Sequence, residues 1–504
     1  VPKAQSTSRR ELVNQMLPAA TVALLVFLLV GWFNGRRGVF SADRDEGYSL
    51  IKTMLVRRGH PLYSETWSDQ PPGYTWFLGV WTQLFGDAPE VARLSTALLL
   101  AVFAFACFEL CRRSSRGVAG YMGGVASVLA LLLQKEMFRF GCATMISLPA
   151  TLCVGLGWAV SAWSCSRVAN YLAGVLLAFG LAIKPLGLPA IPGILVGVWL
   201  GCFFTTRDQR QALAALGRTA GSFLLGCACF FWPVFLRDGG YTVYQTNRLS
   251  SAFAWPGLQQ LVRFVWEDAW LLGAAAMGWV VLCLRRRVEA VALGLWLALG
   301  ALALAHYRPV WTHHRYLLLV PAAPLLGLGL ATGLGWALDR GAQRRLAIGV
   351  VVVMCGVMVG LFPAGRLAEI QRALGQKAES QHPVVQLIGQ EVPQAVRMVT
   401  SHQTYAYRLG LDIPPEQSVT SRKRFDRWGL TAKALVQVSL EFDPDVVALD
   451  TRWPKEAVVE IRQALRATHA LVYKTAHEFV LVRNTLLSAG LRKEARRLKQ
   501  SQAK

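Results

Sequence analysis

Long apolar runs recur through the first 363 residues and constrain this chain more than any other feature. A bilayer crossing takes about 20 mostly apolar residues, and about 11 such runs can be marked. They lie at 17–34, 92–111, 117–133, 145–164, 170–184, 187–204, 219–236, 269–284, 290–306, 316–335 and 346–363. Backbone N–H and C=O groups in hydrocarbon must bond within their own segment, so these runs predict helices. With 54% hydrophobic and 16% charged residues, the chain falls below the roughly one-quarter charged fraction of soluble domains. An α-helical polytopic membrane protein is expected.

The loops between runs alternate in character. One set carries Arg9/Arg10, Arg112/Arg113/Arg116, Arg167, Arg207/Arg210/Arg218, Arg285/Arg286/Arg287 and Arg340/Arg344/Arg345, a positive-inside pattern. The opposite set also holds cations, together with acids and histidines. The formal net charge of +23 therefore reads as loop arginines that set orientation, and no nucleic-acid partner is expected. Arg9 and Arg10 precede an apolar run without a small-residue cleavage site, so the first helix is expected to stay uncleaved. With the N-terminus inside and an odd number of crossings, the first long loop and the C-terminal region fall outside the cytoplasm. All 10 cysteines lie in or beside apolar runs, and neither a disulfide framework nor metal-type spacing is seen.

After Pro363 the pattern changes. Helix-like stretches (364–391 and 431–441) alternate with short apolar runs at 397–400, 445–449, 471–473 and 479–482, which predicts a small α/β domain. The expected organisation is a transmembrane domain at 1–363, with its first outer loop at 36–91, and an extracytoplasmic α/β domain at 364–504. Asp443-Pro444-Asp445 reads as a turn entering a strand. The basic tail from Thr485 to Lys504 fits either a helix on anionic headgroups or a solvated terminus.

Between the first and second apolar runs lies a stretch too polar to cross a bilayer. It opens with Asp43, Asp45 and Glu46, and acids beside hydrocarbon are costly enough to mark a place for chemistry. Gly47 to Arg58 reads as an amphipathic helix with Leu50, Ile51, Met54 and Leu55 on one face, lying along the membrane surface. Asp45 and Glu46 fall in its first turn, where the helix N-terminus favours an ionised carboxylate. Two readings follow from the residues alone: ordinary helix capping, or a carboxylate base for an acceptor hydroxyl.

The order Asp45-Glu46-Gly-Tyr48, Gly59-His-Pro-Leu-Tyr63, Trp67-Ser-Asp69-Gln70-Pro-Pro-Gly-Tyr74 and Leu84-Phe-Gly86 resembles the first outer loop of the polyprenyl-phosphate-sugar transferases. That group has the C-type glycosyltransferase fold and includes protein O-mannosyltransferases, the lipid A aminoarabinose transferase and other family 39 enzymes. The resemblance implies a multi-pass protein of the bacterial inner membrane, with its active site on the extracytoplasmic side. It implies an inverting transferase that moves a sugar from a polyprenyl-phosphate donor to a glycan, lipid or protein acceptor. Asp45 would be the general base and Glu46 a helper or structural acid, with Asp43, Tyr48, Tyr63, Asp69, Gln70 and Tyr74 supporting the loop. No cofactor is required by the sequence, and no metal ligand set is seen.

Release of a lipid phosphate needs fixed cations. Lys184, Arg139, Arg248, Arg308, His313, His314 and Arg315 are the candidates, with Tyr316 completing the Trp311–Tyr316 cluster. Lys184 also suits snorkelling to the interface, and the Trp311–Tyr316 cluster also suits an aromatic-belt anchor. Two departures from the family pattern stand out. Gln70 occupies the place of a lysine found in aminoarabinose transferases. The second outer loop, Ala143–Pro149, lacks an acid, and Glu136 is poorly placed to supply one. A transporter or flippase would require half-repeats and mid-span ionisable residues, and neither is evident. A non-catalytic scaffold is the other alternative.

Overall fold

The computed structural model describes residues 9–37, 44–115, 117–134, 137, 143–237, 257–307, 310–338, 344–360, 362, 365, 368, 382–421, 424–425, 430–451 and 453–503. In chain order the helices of the first three quarters are α1 (Arg9–Arg37), α2 (Arg44–Arg57), α3 (Gly73–Phe85), α4 (Pro89–Ser114), α5 (Val118–Leu132), α6 (Ser147–Trp163) and α7 (Arg167–Ile183). They continue as α8 (Ile191–Thr206), α9 (Gln209–Arg237), α10 (Leu258–Glu267), α11 (Ala269–Leu284), α12 (Val288–His306), α13 (Tyr316–Leu338) and α14 (Arg344–Gly360). Then follow α15 (Pro383–Glu391), β1 (Met398–Thr400), α16 (Gln403–Leu409), α17 (Ala432–Glu441), β2 (Val446–Asp450), α18 (Lys455–Ala464), β3 (His469–Lys474), β4 (Glu478–Arg483) and α19 (Ala489–Ala503).

Among the described residues the marked apolar runs fall largely on helices, with the run at 187–204 beginning in a 3-10 turn over Pro185–Ala190. Among the described residues, 6 helices are long and apolar enough to cross a membrane, or up to 7 if the pair α10 and α11, bent by 86°, forms one span. The shorter apolar helices are Val118–Leu132, Ser147–Trp163, Arg167–Ile183 and Arg345–Gly360. The chain is thus a multi-pass helical protein.

The chain divides into two compact units. One comprises Val1–Phe33, Leu94–Phe235 and Thr242–Leu374; the other comprises Asn34–Arg93, Leu236–Tyr241 and Gly375–Lys504. In the first unit α13 is the central helix, buried at every residue from Tyr316 to Gly333. It packs on α5 and α11. A Cβ built on Gly329 would stand 2.2 Å from the Cα of Gly278 in α11, so only paired glycines allow these backbones to come so close. Helix ends follow local chemistry. Ser166 caps α7 by accepting from the Ala169 N–H, and Lys184 turns extended just ahead of Pro185.

In the second unit a sheet of order β1-β2-β4-β3 forms. β1 runs parallel to β2, while β4 is antiparallel to both β2 and β3. The strands sit on the four short apolar runs, and β2 is buried at every position. Val399, Leu435, Val447, Leu449, Trp453, Ile461 and Leu481 build the core between the sheet and helices α17 and α18. Asp443 turns the chain into β2 with φ 49, and hydrogen bonds and charge from Arg483, then Arg397, hold its carboxyl below the usual range.

Candidate active site

The two neighbouring acids of the first loop point to different surroundings. α2 begins at Arg44, with Asp45 and Glu46 in its first turn. Asp45 is exposed. Glu46 is fully buried and receives two hydrogen bonds from Arg93, Nε to Oε1 at 2.8 Å and Nη2 to Oε2 at 2.7 Å. A paired fork of this kind fixes both position and orientation of the carboxylate.

The expectation of a helix with one buried and one open face is corrected here. Leu50, Ile51, Met54 and Leu55 are buried, but so is every other residue from Glu46 to Leu55. α3 and α16 pack against α2 and leave it enclosed by protein. A Cβ on Gly47 would lie 2.6 Å from Thr404 Oγ1 of α16, which accounts for glycine after the acid pair.

Lys52 shares this enclosure. It is 4% exposed, and its Nζ donates to Ser68 Oγ at 3.1 Å. Burial pulls its pKa down, while the carboxylates of Asp69 and then Asp45 pull it back up. Around it the loop bonds to itself. Tyr63, in the left-handed region with φ 74, donates its hydroxyl to the Gln70 carbonyl at 2.8 Å, and Gln70 Nε2 donates to Asp69 Oδ2 at 3.1 Å. Tyr48 and Tyr74 are buried. Tyr63, Asp69 and Gln70 are therefore gathered in one turn beside Lys52, a residue that sequence reasoning overlooked. Asp43 lies outside the described residues.

The C-terminal half of the same unit is fastened to this loop. Arg408 pairs with Glu90, and Arg58 pairs with Asp412 and donates to the Gly410 carbonyl at 3.0 Å. Ser418 Oγ donates to the Trp67 carbonyl at 3.0 Å, and the Arg424 guanidinium stands 4.8 Å from the Trp67 ring centre. Burial lowers the pKa of Arg424 to about 10.

The helical unit contains a separate basic cluster. Lys184 Nζ donates to Ser147 Oγ at 2.8 Å and lies 3.2 Å from His314 Nε2 and 3.4 Å from His313 Nε2. All three basic residues are buried, at 6% exposure for Lys184, 8% for His313 and 1% for His314. The Trp311 N–H also approaches His314 Nδ1 at 3.3 Å, and a neutral imidazole accepts at one nitrogen only, so the tautomer of His314 is tied to the proton positions on Lys184. Tyr316 is fully buried at the start of α13.

Arg315 is placed otherwise. Its guanidinium donates to Asp268 Oδ2 at 2.9 Å and Glu267 Oε2 at 2.7 Å, and lies 4.6 Å from the Phe264 ring centre. Asp268 occupies the break between α10 and α11, so this arginine binds the bend. Neither Asp268 nor Arg93 was singled out from the sequence. Each is 47 residues from its partner, a separation with no local signature. Arg139, Arg248, Arg308 and Glu136 lie outside the described residues. Among the described residues, no group of three or more His, Cys, Asp or Glu side chains could hold a metal ion.

Residues 69–235, a third of the chain, match the family described as dolichyl-phosphate-mannose-protein mannosyltransferase. No curated protein sequence compared with the chain matches it. In overall fold the chain is similar to ArnT from Cupriavidus metallidurans in two crystal structures. The form bound to undecaprenyl phosphate is 16% identical with a TM-score of 0.60, over 94% of this chain and 99% of that one. The apo form is 15% identical with a TM-score of 0.60, over 95% and 99%. At such identity the likeness shows the fold, the C-type architecture. A match to that family over residues 69–235 and a C-type fold over nearly the whole chain both agree with the resemblance read from the first loop.

Proposed function

We propose that this chain is an inverting glycosyltransferase, moving a sugar from a polyprenyl phosphate to an acceptor hydroxyl on the extracytoplasmic face of a bacterial inner membrane. The observation that carries the reading is the split between Asp45 and Glu46. One carboxylate is exposed, while its neighbour is anchored by Arg93. An exposed carboxylate on a rigid, protein-enclosed helix suits a general base.

In the proposed step the acceptor hydroxyl passes its proton to Asp45 as its oxygen bonds to the anomeric carbon. The bond from that carbon to the phosphate oxygen breaks, and polyprenyl phosphate leaves with the electron pair. Glu46 acts as a positioning residue. Lys184, with His313 and His314, supplies the fixed donors for the leaving phosphate. Arg139, Arg248 and Arg308 stay candidates for that role, whereas Arg315 serves the bend through Asp268 and Glu267. The undecaprenyl phosphate held by the similar ArnT supports a lipid-phosphate donor. The arginine-rich loops support an orientation with the acid loop and the C-terminal region outside, and the acceptor is a glycan, lipid or protein hydroxyl.

Membranes containing the chain, supplied with a panel of radiolabelled polyprenyl-phosphate sugars, test the reading. Transfer or slow hydrolysis of at least one donor above control membranes is expected. Translocation of intact donors without cleavage would instead indicate a flippase.

A further inference from the structure

A second polar hollow lies within the helical unit, at the end of the bundle away from Lys184. Its volume is about 670 Å³. It opens between the last turns of α6 and α8 and the first turn of α12. α6 relates it to the basic cluster: Ser147, the Lys184 partner, begins that helix, and Ser161 lines the hollow near its other end. At 1.5 Å per residue the two sites are about 20 Å apart along the helix. The hollow is therefore distinct from the cluster assigned to the donor phosphate.

Three arginines, Arg207, Arg286 and Arg287, line it against a single acid, Glu289. Arg287 Nη2 donates to Glu289 Oε1 at 3.2 Å, while its buried Nε makes no hydrogen bond within the described residues. The lining therefore has an excess of positive charge and an unused guanidinium donor. Arg207 and Arg286 both adopt left-handed backbone, with φ 58 and φ 53, a conformation arginine rarely takes. The rest of the wall is apolar. Trp158 forms part of it, and Phe204, exposed at the end of α8, lies 5.6 Å beneath the Arg207 guanidinium.

We propose that this hollow binds the phosphodiester headgroup of an anionic phospholipid from the leaflet bordering the arginine loops, with the acyl chains leaving past Phe204. Guanidinium groups match phosphate oxygens in a planar, two-point geometry. α8 and α12 belong to helices long enough to cross a membrane, so their ends stand at headgroup depth, where lipid phosphates are concentrated. A soluble phosphate would share the charge recognition but would gain nothing from the apolar rim.

The test uses the purified full-length chain in neutral detergent. Native mass spectrometry and thermal unfolding are followed with phosphatidylglycerol, phosphatidylcholine, or glycerol 3-phosphate. Phosphatidylglycerol should be retained about fivefold or more over phosphatidylcholine, the ratio expected from one or more arginine contacts to an anionic headgroup. The double variant Arg207→Gly/Arg286→Gly removes two charges while suiting the left-handed backbone, so it should keep the wild-type unfolding temperature and lose the preference. Gly201→Leu leaves every arginine in place and puts an apolar side chain into the lining, where a Cβ at Gly201 meets no atom within 4 Å; by crowding the headgroup it should lower the preference as well. Retention of the preference in both variants would overturn the site. Protection by glycerol 3-phosphate equal to that by phosphatidylglycerol would overturn the lipid assignment in favour of a soluble phosphate.

Discussion

Arg93 closes a two-point ion pair on Glu46, at 2.8 and 2.7 Å, with both side chains essentially inaccessible. Removing one partner of such a pair leaves a buried charge uncompensated, at about 3–5 kcal/mol. Arg93→Met and Glu46→Gln should each destabilise the chain by that order, read from unfolding in detergent. The double variant should recover most of the loss, because two apolar or neutral groups replace two charges. Equal and additive losses in the double variant would show that the residues act independently.

The Lys184 cluster should report on the donor. Lys184→Gln exchanges a charge-assisted donor for a neutral one, about 1.5–3 kcal/mol, or roughly ten- to hundredfold in affinity. Binding of a polyprenyl phosphate, measured by microscale thermophoresis, should weaken by that factor while the unfolding temperature stays close to wild type. Unchanged binding would remove Lys184 from the phosphate site.

Arg315 carries the opposite expectation. Its loss strands Asp268 at the break between α10 and α11, so Arg315→Met should destabilise the chain by about 3–5 kcal/mol. Asp268→Asn/Arg315→Met should restore part of that loss. A folded, fully stable Arg315→Met protein with weakened donor binding would contradict the bend assignment and return this residue to the phosphate set.

Lys52 yields a pH prediction. Burial depresses its folded-state pKa below the ordinary value of about 10.4. Between the two values the unfolded chain binds more protons than the folded one, so stability rises with pH across that window. The stability of Lys52→Met relative to wild type should therefore shrink as pH climbs toward 10. Thermal unfolding of the pair from pH 7 to 10 measures it, and a constant difference would show that Lys52 titrates normally.

Much of the helical framework was legible because an apolar run of bilayer length has few other uses. The strands were legible too, since Val446 to Leu449 and Phe479 to Val482 are short apolar runs bounded by turn residues. Periodicity placed Leu50, Ile51, Met54 and Leu55 on a buried face but missed Lys52 on the other side. Nothing local reveals that the Ser68–Asp69 turn would meet it. The partners of Glu46 and Arg315 were likewise hidden, because ion pairs closed across 47 residues depend on tertiary packing. The motif around Asp45 was visible only as a pattern of residue types; its exposure beside a buried Glu46 required the fold.

The central claim rests on the Asp45 carboxylate. The decisive measurement is single-turnover sugar release from a saturating polyprenyl-phosphate donor by wild type and Asp45→Asn, with donor binding measured in parallel. Loss of a general base costs about 10²–10⁴ in rate, so the variant should bind donor as wild type does and turn it over slower by that factor. Turnover by Asp45→Asn within twofold of wild type would contradict the account.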